Sequence, residues 1–166
     1  ADPEGSIVAH YVKTGELLEE VGSWTVEGVG EDFIPPVCDM SVADLAYTIP
    51  DKEAMEVARE LLEKEGILAG SSSGTLIGAA LRYCREQTEP KRVCTFVCDN
   101  GNKYLTKVFN DLWLYDQGFK ERETVGDLRD LIAYRYDEGT SVTIGPEDTL
   151  LMAIGRMKMY DVSQLP

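Results

Sequence analysis

Between Asp51 and Glu65 the apolar residues Ala54, Met55, Val57, Ala58, Leu61 and Leu62 recur at the spacing of one helix face, and Gly66 follows as a left-handed stop. The pattern predicts an amphipathic helix. Ile67 to Ala69 then read as a short buried strand and Gly70 to Thr75 as a tight polar loop. Leu76 to Cys84 continue as a nearly all-apolar helix that has to be covered on most sides. Val93 to Cys98 read as the next buried strand, and Lys103 to Tyr115 place Leu105, Val108, Phe109, Leu112 and Trp113 at helical spacing. Helices alternating with uniformly apolar strands predict an α/β fold, an open and mostly parallel sheet with helices on both faces. Residues 7 to 50 are less regular: Val42 to Thr48 read as an edge strand, and Pro35-Pro36 exclude helix at that point.

After Gly118 the chain turns charged at Lys120-Glu121-Arg122-Glu123, and a new pattern begins. It predicts helix from Val125 to Tyr136, strand from Ser141 to Ile144, and helix from Glu147 to Tyr160, started at Pro146 with acids in the first turn, where the helix dipole favours them. A domain boundary is therefore expected between residues 1–121 and 122–166. With no Met at its start and an end that falls within a strand pattern, the chain of 166 residues reads as an excerpt.

Thirty acidic against sixteen basic residues give a net charge of -14, which repels a phosphate backbone and argues against nucleic acid as a partner. No apolar stretch approaches the ~20 residues needed to span a bilayer, and no charged-then-apolar leader opens the chain, so a soluble, cytoplasmic protein with no membrane partner is expected. Cys38, Cys84, Cys94 and Cys98 lack CxxC spacing and His10 is the sole histidine, so no metal site is expected. Cys94 and Cys98 share one face of the expected strand and should pack as small apolar groups rather than pair.

Candidate chemistry lies where strand, polar loop and helix start coincide, at Gly70-Ser71-Ser72-Ser73-Gly74-Thr75. In α/β proteins ligands bind beyond the carboxyl ends of strands, and N–H groups at a helix start favour acceptor atoms. A hydroxyl of Ser72 or Ser73 also suits a helix cap. Gly28 and Gly30, within Glu27-Gly28-Val29-Gly30-Glu31-Asp32-Phe33-Ile34-Pro35, allow backbone to approach a ligand closely or simply to turn.

These two segments, with Ala1-Asp2-Pro3-Glu4-Gly5-Ser6 before them and Asp99, Tyr104, Leu105 and Thr106 after, resemble in order and spacing the pyridoxal-phosphate family of cystathionine β-synthases and cysteine synthases. The resemblance covers residues 1 to about 121 and implies the later part of a fold type II pyridoxal-phosphate domain. It implies pyridoxal 5'-phosphate as cofactor, with Ser72 at the position whose hydroxyl faces the ring nitrogen and Gly28 and Gly30 in the loop beside cofactor and substrate. Residues 124 to 166 resemble the first part of a Bateman-type regulatory repeat, a tail that many cystathionine β-synthases carry and cysteine synthases normally lack. The implied reaction is replacement of the serine hydroxyl by homocysteine, giving cystathionine and water, in a homo-oligomer. A cysteine synthase, joining O-acetylserine and sulfide, shares the same loops, and an inactive module sensing an adenosyl ligand remains an alternative of another class.

The family's catalytic lysine motif and its phosphate-cradling loop find no counterpart around Lys13, Lys52, Lys64, Lys91, Lys103, Lys107, Lys120 or Lys158, so no catalytic residue is assigned and the excerpt alone is expected to be inactive. Cys98 stands where the family more often has proline, and Glu31 where relatives have tyrosine or a small residue. Those two, and Tyr104, which matches the family's tyrosine but at the start of an amphipathic helix is more often packing, stay outside the candidate set. No haem contact is expected within these residues.

Overall fold

The computed structural model describes residues 1–121, 126, 142–160, 162 and 164–166. They fall into two units, Ala1–Tyr104 and Leu105–Pro166. The first is an α/β arrangement around a small parallel sheet. Strand β1 (Asp2–Pro3) pairs in parallel with β2 (Thr48–Ile49), Asp2 opposite Thr48 and Pro3 opposite Ile49. Helix α1 (Val8–Thr14) ends at Gly15, in the left-handed region with φ 75°, whose N–H donates to Tyr11 O. The buried carboxylate of Asp2 accepts from Ala9 N at 2.7 Å, setting a negative charge at the start of α1, where the helix dipole welcomes it.

Helices α2 (Asp51–Glu65) and α3 (Ser71–Glu86) pack against one another, and α3 also meets both strands. Ile49, Ala54, Met55, Ala58 and Ala79 form the buried centre. The two helices approach so closely that a Cβ on Gly74 would land on the carbonyl of Ala54. Arg82 joins three elements: its guanidinium pairs with Glu53 of α2 and donates from Nη1 to Thr48 O of β2 at 2.9 Å. At the head of α2, Asp51 accepts from the main-chain N–H groups of Thr25 and Val26.

Helix α2 matches its expected bounds, with Gly66 left-handed at φ 68°. Helix α3 starts five residues before the expected Leu76, because the serine-rich stretch forms its first turn rather than a loop. Serine and glycine are poor helix formers. Their small size lets the helix press onto α2, and that packing overrides propensity. The later half of α3 is less covered than expected, with Leu81 and Cys84 exposed.

The expected strands fare differently. Of Ile67–Ala69 only Ala69 bridges, antiparallel, to Asn100. Residues 93–98 carry no regular secondary structure, Phe96 is 76% exposed, and Cys94 and Cys98 are exposed thiols rather than packed ones. Val42–Thr48 holds the end of a 3-10 turn (Met40–Val42) and contributes only Thr48 to β2. An apolar run becomes a strand only where neighbouring backbone takes its N–H and C=O groups. Among the described residues nothing offers that to 93–97.

The expected helix Lys103–Tyr115 is divided. A 3-10 turn (Gly101–Tyr104) closes the first unit, and in the second α4 (Asp111–Asp116) starts after Asn110, whose side chain accepts from Leu112 N at 2.9 Å. Such a cap fixes a helix start, here at Asp111, eight residues after Lys103. Helix α5 (Leu150–Tyr160) begins three residues later than Glu147. Gly145 to Asp148 form a turn in which Gly145 N donates to Asp148 Oδ2 at 2.8 Å, and Thr149 Oγ1 accepts from Met152 N. Apart from Gly126, the expected helix Val125–Tyr136 lies outside the described residues, as does Ser141; residues 142–144 form no regular element. No helix among the described residues is long and apolar enough to cross a membrane.

Candidate cofactor site

The first turn of α3 follows Gly70, which is extended (φ -76°, ψ 173°) and offers no side chain to cap the helix. Neither does Ser72 or Ser73 cap it. Ser71 Oγ accepts from Glu27 N at 3.4 Å, Ser73 Oγ accepts from Cys98 N at 2.9 Å, and Thr75 Oγ1 donates back to Ser71 O at 3.4 Å. Two hydroxyls thus fasten incoming loops to the helix start. Ser72 is 5% exposed, and among the described residues its hydroxyl takes part in no side-chain hydrogen bond. A hydroxyl on a buried residue, with no side-chain hydrogen bond among the described residues and beside the positive end of a 16-residue helix, is chemically ready for a polar atom of a ligand.

The glycine loop is held from behind. Ser6 Oγ donates to Glu31 O at 3.0 Å and accepts from Glu31 N at 2.9 Å, while Ile7 N also donates to Glu31 O. Gly30 has φ 90°, and a Cβ there would stand 2.5 Å from Pro3 Cγ and 2.8 Å from Trp24 Cε2. Gly28 has φ 81°, but its Cβ would meet nothing within 4 Å. Gly30 therefore seats the loop on the Asp2–Ser6 segment, and Gly28 presents the loop's open side. The hydrogen bond between Glu27 and Ser71 joins the residue before Gly28 to the residue before Ser72. It brings those two candidate positions onto neighbouring stretches, with Gly30 one step behind.

A third segment crosses the helix start. Gly70 N donates to Asp99 O at 3.3 Å, and Gly101 N donates to Leu68 O at 3.1 Å. Tyr104, buried, donates its hydroxyl to Asp99 Oδ2 at 2.9 Å; burial, then this bond and the carboxylate's charge, push its hydroxyl up to about 12. Cys98 contributes its N–H, and its thiol is exposed. Glu31 contributes its main chain. Spacing alone assigned Tyr104 to helix packing; the signal for its role was the short Asp99-to-Tyr104 interval, which a 3-10 turn folds back on itself. Among the described residues no group of three or more His, Cys, Asp or Glu side chains could hold a metal ion.

Fold and site together define an α/β protein in which a serine-lined helix start is met by a glycine loop and an acidic turn. Residues 1–99 match the family model described as pyridoxal-phosphate dependent enzyme, and the chain belongs to that family. It is 38% identical over 128 residues to the cystathionine beta-synthase of Oryctolagus cuniculus, which covers 77% of this chain and 23% of that protein. The protein of the same name from Dictyostelium discoideum is 31% identical over 177 residues, covering 99% of this chain and 34% of its own length. A cysteine synthase of Buchnera aphidicola is 34% identical over 113 residues, with 67% and 36% covered. Among solved structures, an O-acetylserine dependent cystathionine beta-synthase from Helicobacter pylori aligns with TM-score 0.53 and 37% identity over 64% of this chain and 32% of that one. O-ureido-L-serine synthase aligns with TM-score 0.56 and 27% identity over 69% and 36%. The chain spans about a fifth to a third of the length of the curated relatives named cystathionine beta-synthase.

The family's cofactor is pyridoxal phosphate. The residues present fit it in chemistry, since the Ser72 hydroxyl, without a side-chain hydrogen bond among the described residues, can donate to a ring nitrogen, and a Cβ at Gly28 would meet nothing within 4 Å.

Proposed function

We propose that residues 1–121 form the later part of the catalytic domain of a cystathionine β-synthase, an open and mostly parallel fold type II sheet in the complete domain, and that residues 122–166 begin a Bateman-type regulatory repeat. The observation that carries the reading is the meeting of the four resembling segments: Ser6 with Glu31, Glu27 with Ser71, and Gly70 with Asp99. The names of the relatives support the same choice.

When bound, pyridoxal phosphate supplies the electron sink for removing an amino acid's α-proton and expelling its β-substituent. Ser72 would keep its proton on Oγ and offer it as a hydrogen bond to the ring nitrogen, a neutral partner that would leave that nitrogen unprotonated. A neutral donor keeps the sink moderate, which suits prompt β-elimination; an aspartate would hold the nitrogen protonated. Gly28 and Gly30 shape the loop so that main chain, not side chain, lies beside cofactor and substrate. Serine is then the amino acid whose hydroxyl is replaced and homocysteine the nucleophile, in a homo-oligomeric enzyme.

A second reading, cysteine synthase, is favoured by the Buchnera relative, and the O-acetylserine dependence of the Helicobacter enzyme bears on which activated serine is used. The test is turnover of the complete protein that carries this chain on serine plus homocysteine, O-acetylserine plus homocysteine, and O-acetylserine plus sulfide. Preference for the first pair is expected. Preference for sulfide would make it a cysteine synthase, and activity on none would favour a sensing module. Ser72→Asp in the same protein should shift the cofactor's absorption and lower turnover on the order of a hundredfold; unchanged spectra and rates would remove Ser72 from the site.

A further inference from the structure

The carboxylate of Asp99 is placed unusually for a turn residue. One oxygen, Oδ2, accepts from the Tyr104 hydroxyl at 2.9 Å and lies 3.8 Å from the Nζ of Lys103, whose side chain is 75% exposed and so binds weakly. The other, Oδ1, is buried and has no hydrogen-bond partner among the described residues. It stands against Gly70: a Cβ on that glycine would fall on Asp99 Oδ1 and 2.6 Å from the Tyr104 ring. Leaving a buried carboxylate oxygen unpaired is costly unless a compensating field is present. The start of α3 is one residue away, and its positive end supplies that field.

The main chain around Asp99 is fastened to the same place. Cys98 N reaches Ser73 Oγ, Asp99 O receives Gly70 N, Asn100 bridges to Ala69, and Gly101 N reaches Leu68 O. Residues 98–101 thus run alongside 68–73, and between Gly70 and Ser73 lies Ser72, the one serine of the turn without a side-chain hydrogen bond among the described residues. Among the described residues no side-chain hydrogen bond fixes the Ser72 hydroxyl, so its position depends on the backbone that Asp99 and Tyr104 brace.

We propose that Asp99, locked by Tyr104, is a positioning residue: it presses on Gly70 and thereby sets the place of the Ser72 hydroxyl for the cofactor. This rests on the reading of Ser72 given under the proposed function. Tyr104 acts only through Asp99, and neither touches the reacting atoms. Lengthening or releasing the brace moves the α3 start, and displacements of about 1 Å at a reacting site can cost on the order of a hundredfold in rate.

The complete holoenzyme is compared as wild type, Tyr104→Phe, Asp99→Asn, Ser72→Ala, and the double variant Tyr104→Phe with Ser72→Ala. The readouts are the cofactor's absorption spectrum, its dissociation constant by titration of the apoenzyme, kcat and KM, and the thermal midpoint. Tyr104→Phe should shift the absorption in the same direction as Ser72→Ala, weaken cofactor binding about tenfold, and lower kcat more than it raises KM. The double variant should be no worse than Ser72→Ala alone, because both changes act through one hydroxyl. Asp99→Asn, which keeps an acceptor for Tyr104 but removes the charge at the helix start, should fall between Tyr104→Phe and wild type. If Ser72→Ala shifts the spectrum while Tyr104→Phe and Asp99→Asn leave spectrum and binding as in wild type, or if the double variant shows the full product of both effects, the brace is refuted and the Ser72 reading survives. If Ser72→Ala itself leaves the spectrum unchanged, that reading falls and takes the brace with it.

Discussion

Gly28 and Gly30 are two positions apart with similar backbone angles, φ 81° and 90°, yet a methyl group would meet different surroundings at each. At Gly30 it would collide with Pro3 and Trp24 as well as strain the backbone. Gly30→Ala is therefore expected to cost about 2–3 kcal/mol, read by urea melting. Gly28→Ala carries the backbone strain alone, about 1 kcal/mol, but its methyl would point into the loop's open side. Its mark should be cofactor lost on gel filtration, and full loading of a folded Gly28→Ala protein would show that Gly28 is only a turn. The sequence made both glycines candidates but could not separate them, because the difference lies in Pro3 and Trp24, which are distant in the chain. Tyr104 adds a pH prediction. Its hydroxyl is raised to about 12, so the fold favours the neutral form. The stability this confers is complete below the ordinary tyrosine value of about 10 and is lost as pH rises through about 12. In alkaline unfolding, Tyr104→Phe should lack that part of the decline; a curve parallel to wild type above pH ~10 would contradict it.

Helices α2 and α3 show what kind of element was legible. The apolar spacing from Ala54 to Leu62 and the stop at Gly66 gave α2 both ends, since period and cap are local properties. The start of α3 was misplaced because its cause is not local. Only glycine fits at 74, because Ala54's carbonyl lies against it, and no pattern within Gly70–Thr75 carries that information. The same helix supplies a paired test. Gly74→Ala must push the helices apart and is expected to destabilise by about 2–3 kcal/mol. At Gly78 a Cβ would stand 3.5 Å from Ile49 Cγ2 and 3.6 Å from Glu53 Oε1, an ordinary fit. Gly78→Ala should therefore stabilise by about 0.5–1 kcal/mol through helix propensity. Denaturant midpoints moving the same way in both variants would show that the seam between α2 and α3 is not as tight as drawn. In the second unit, α4 and α5 start at side-chain caps from Asn110 and Thr149; both residues were present to be read, but the longer apolar patterns ran past them.

At the scale of the whole molecule, the strands were the least legible elements, for the reason that limits the chain's chemistry. Val93, Phe96 and Val97 have the composition of a buried strand and are exposed, while the chain spans only a fraction of the relatives it matches. Composition records the environment a segment is built for, and pairing requires the neighbours themselves. The catalytic lysine poses the same problem. On the proposed reading the Ser72 turn, the Gly28 loop and the Asp99 brace would orient a cofactor, but the proposed β-replacement also needs an amine to hold it and move a proton. Lys64 pairs with Glu60 and Lys120 with Asp111, Lys103 lies largely exposed beside Asp99, and no lysine of residues 1–166 stands in a context resembling the family's lysine motif. In the complete protein, borohydride reduction and peptide mapping should therefore place the pyridoxyl group on a lysine outside residues 1–166. The 166-residue chain alone, supplied with pyridoxal phosphate, should give no cystathionine from serine and homocysteine. A reduced adduct on any of Lys13, Lys52, Lys64, Lys91, Lys103, Lys107, Lys120 or Lys158, together with turnover by the isolated chain, would move the catalytic amine into this segment. The three converging motifs would then have to be reinterpreted as a complete site rather than as one wall of it.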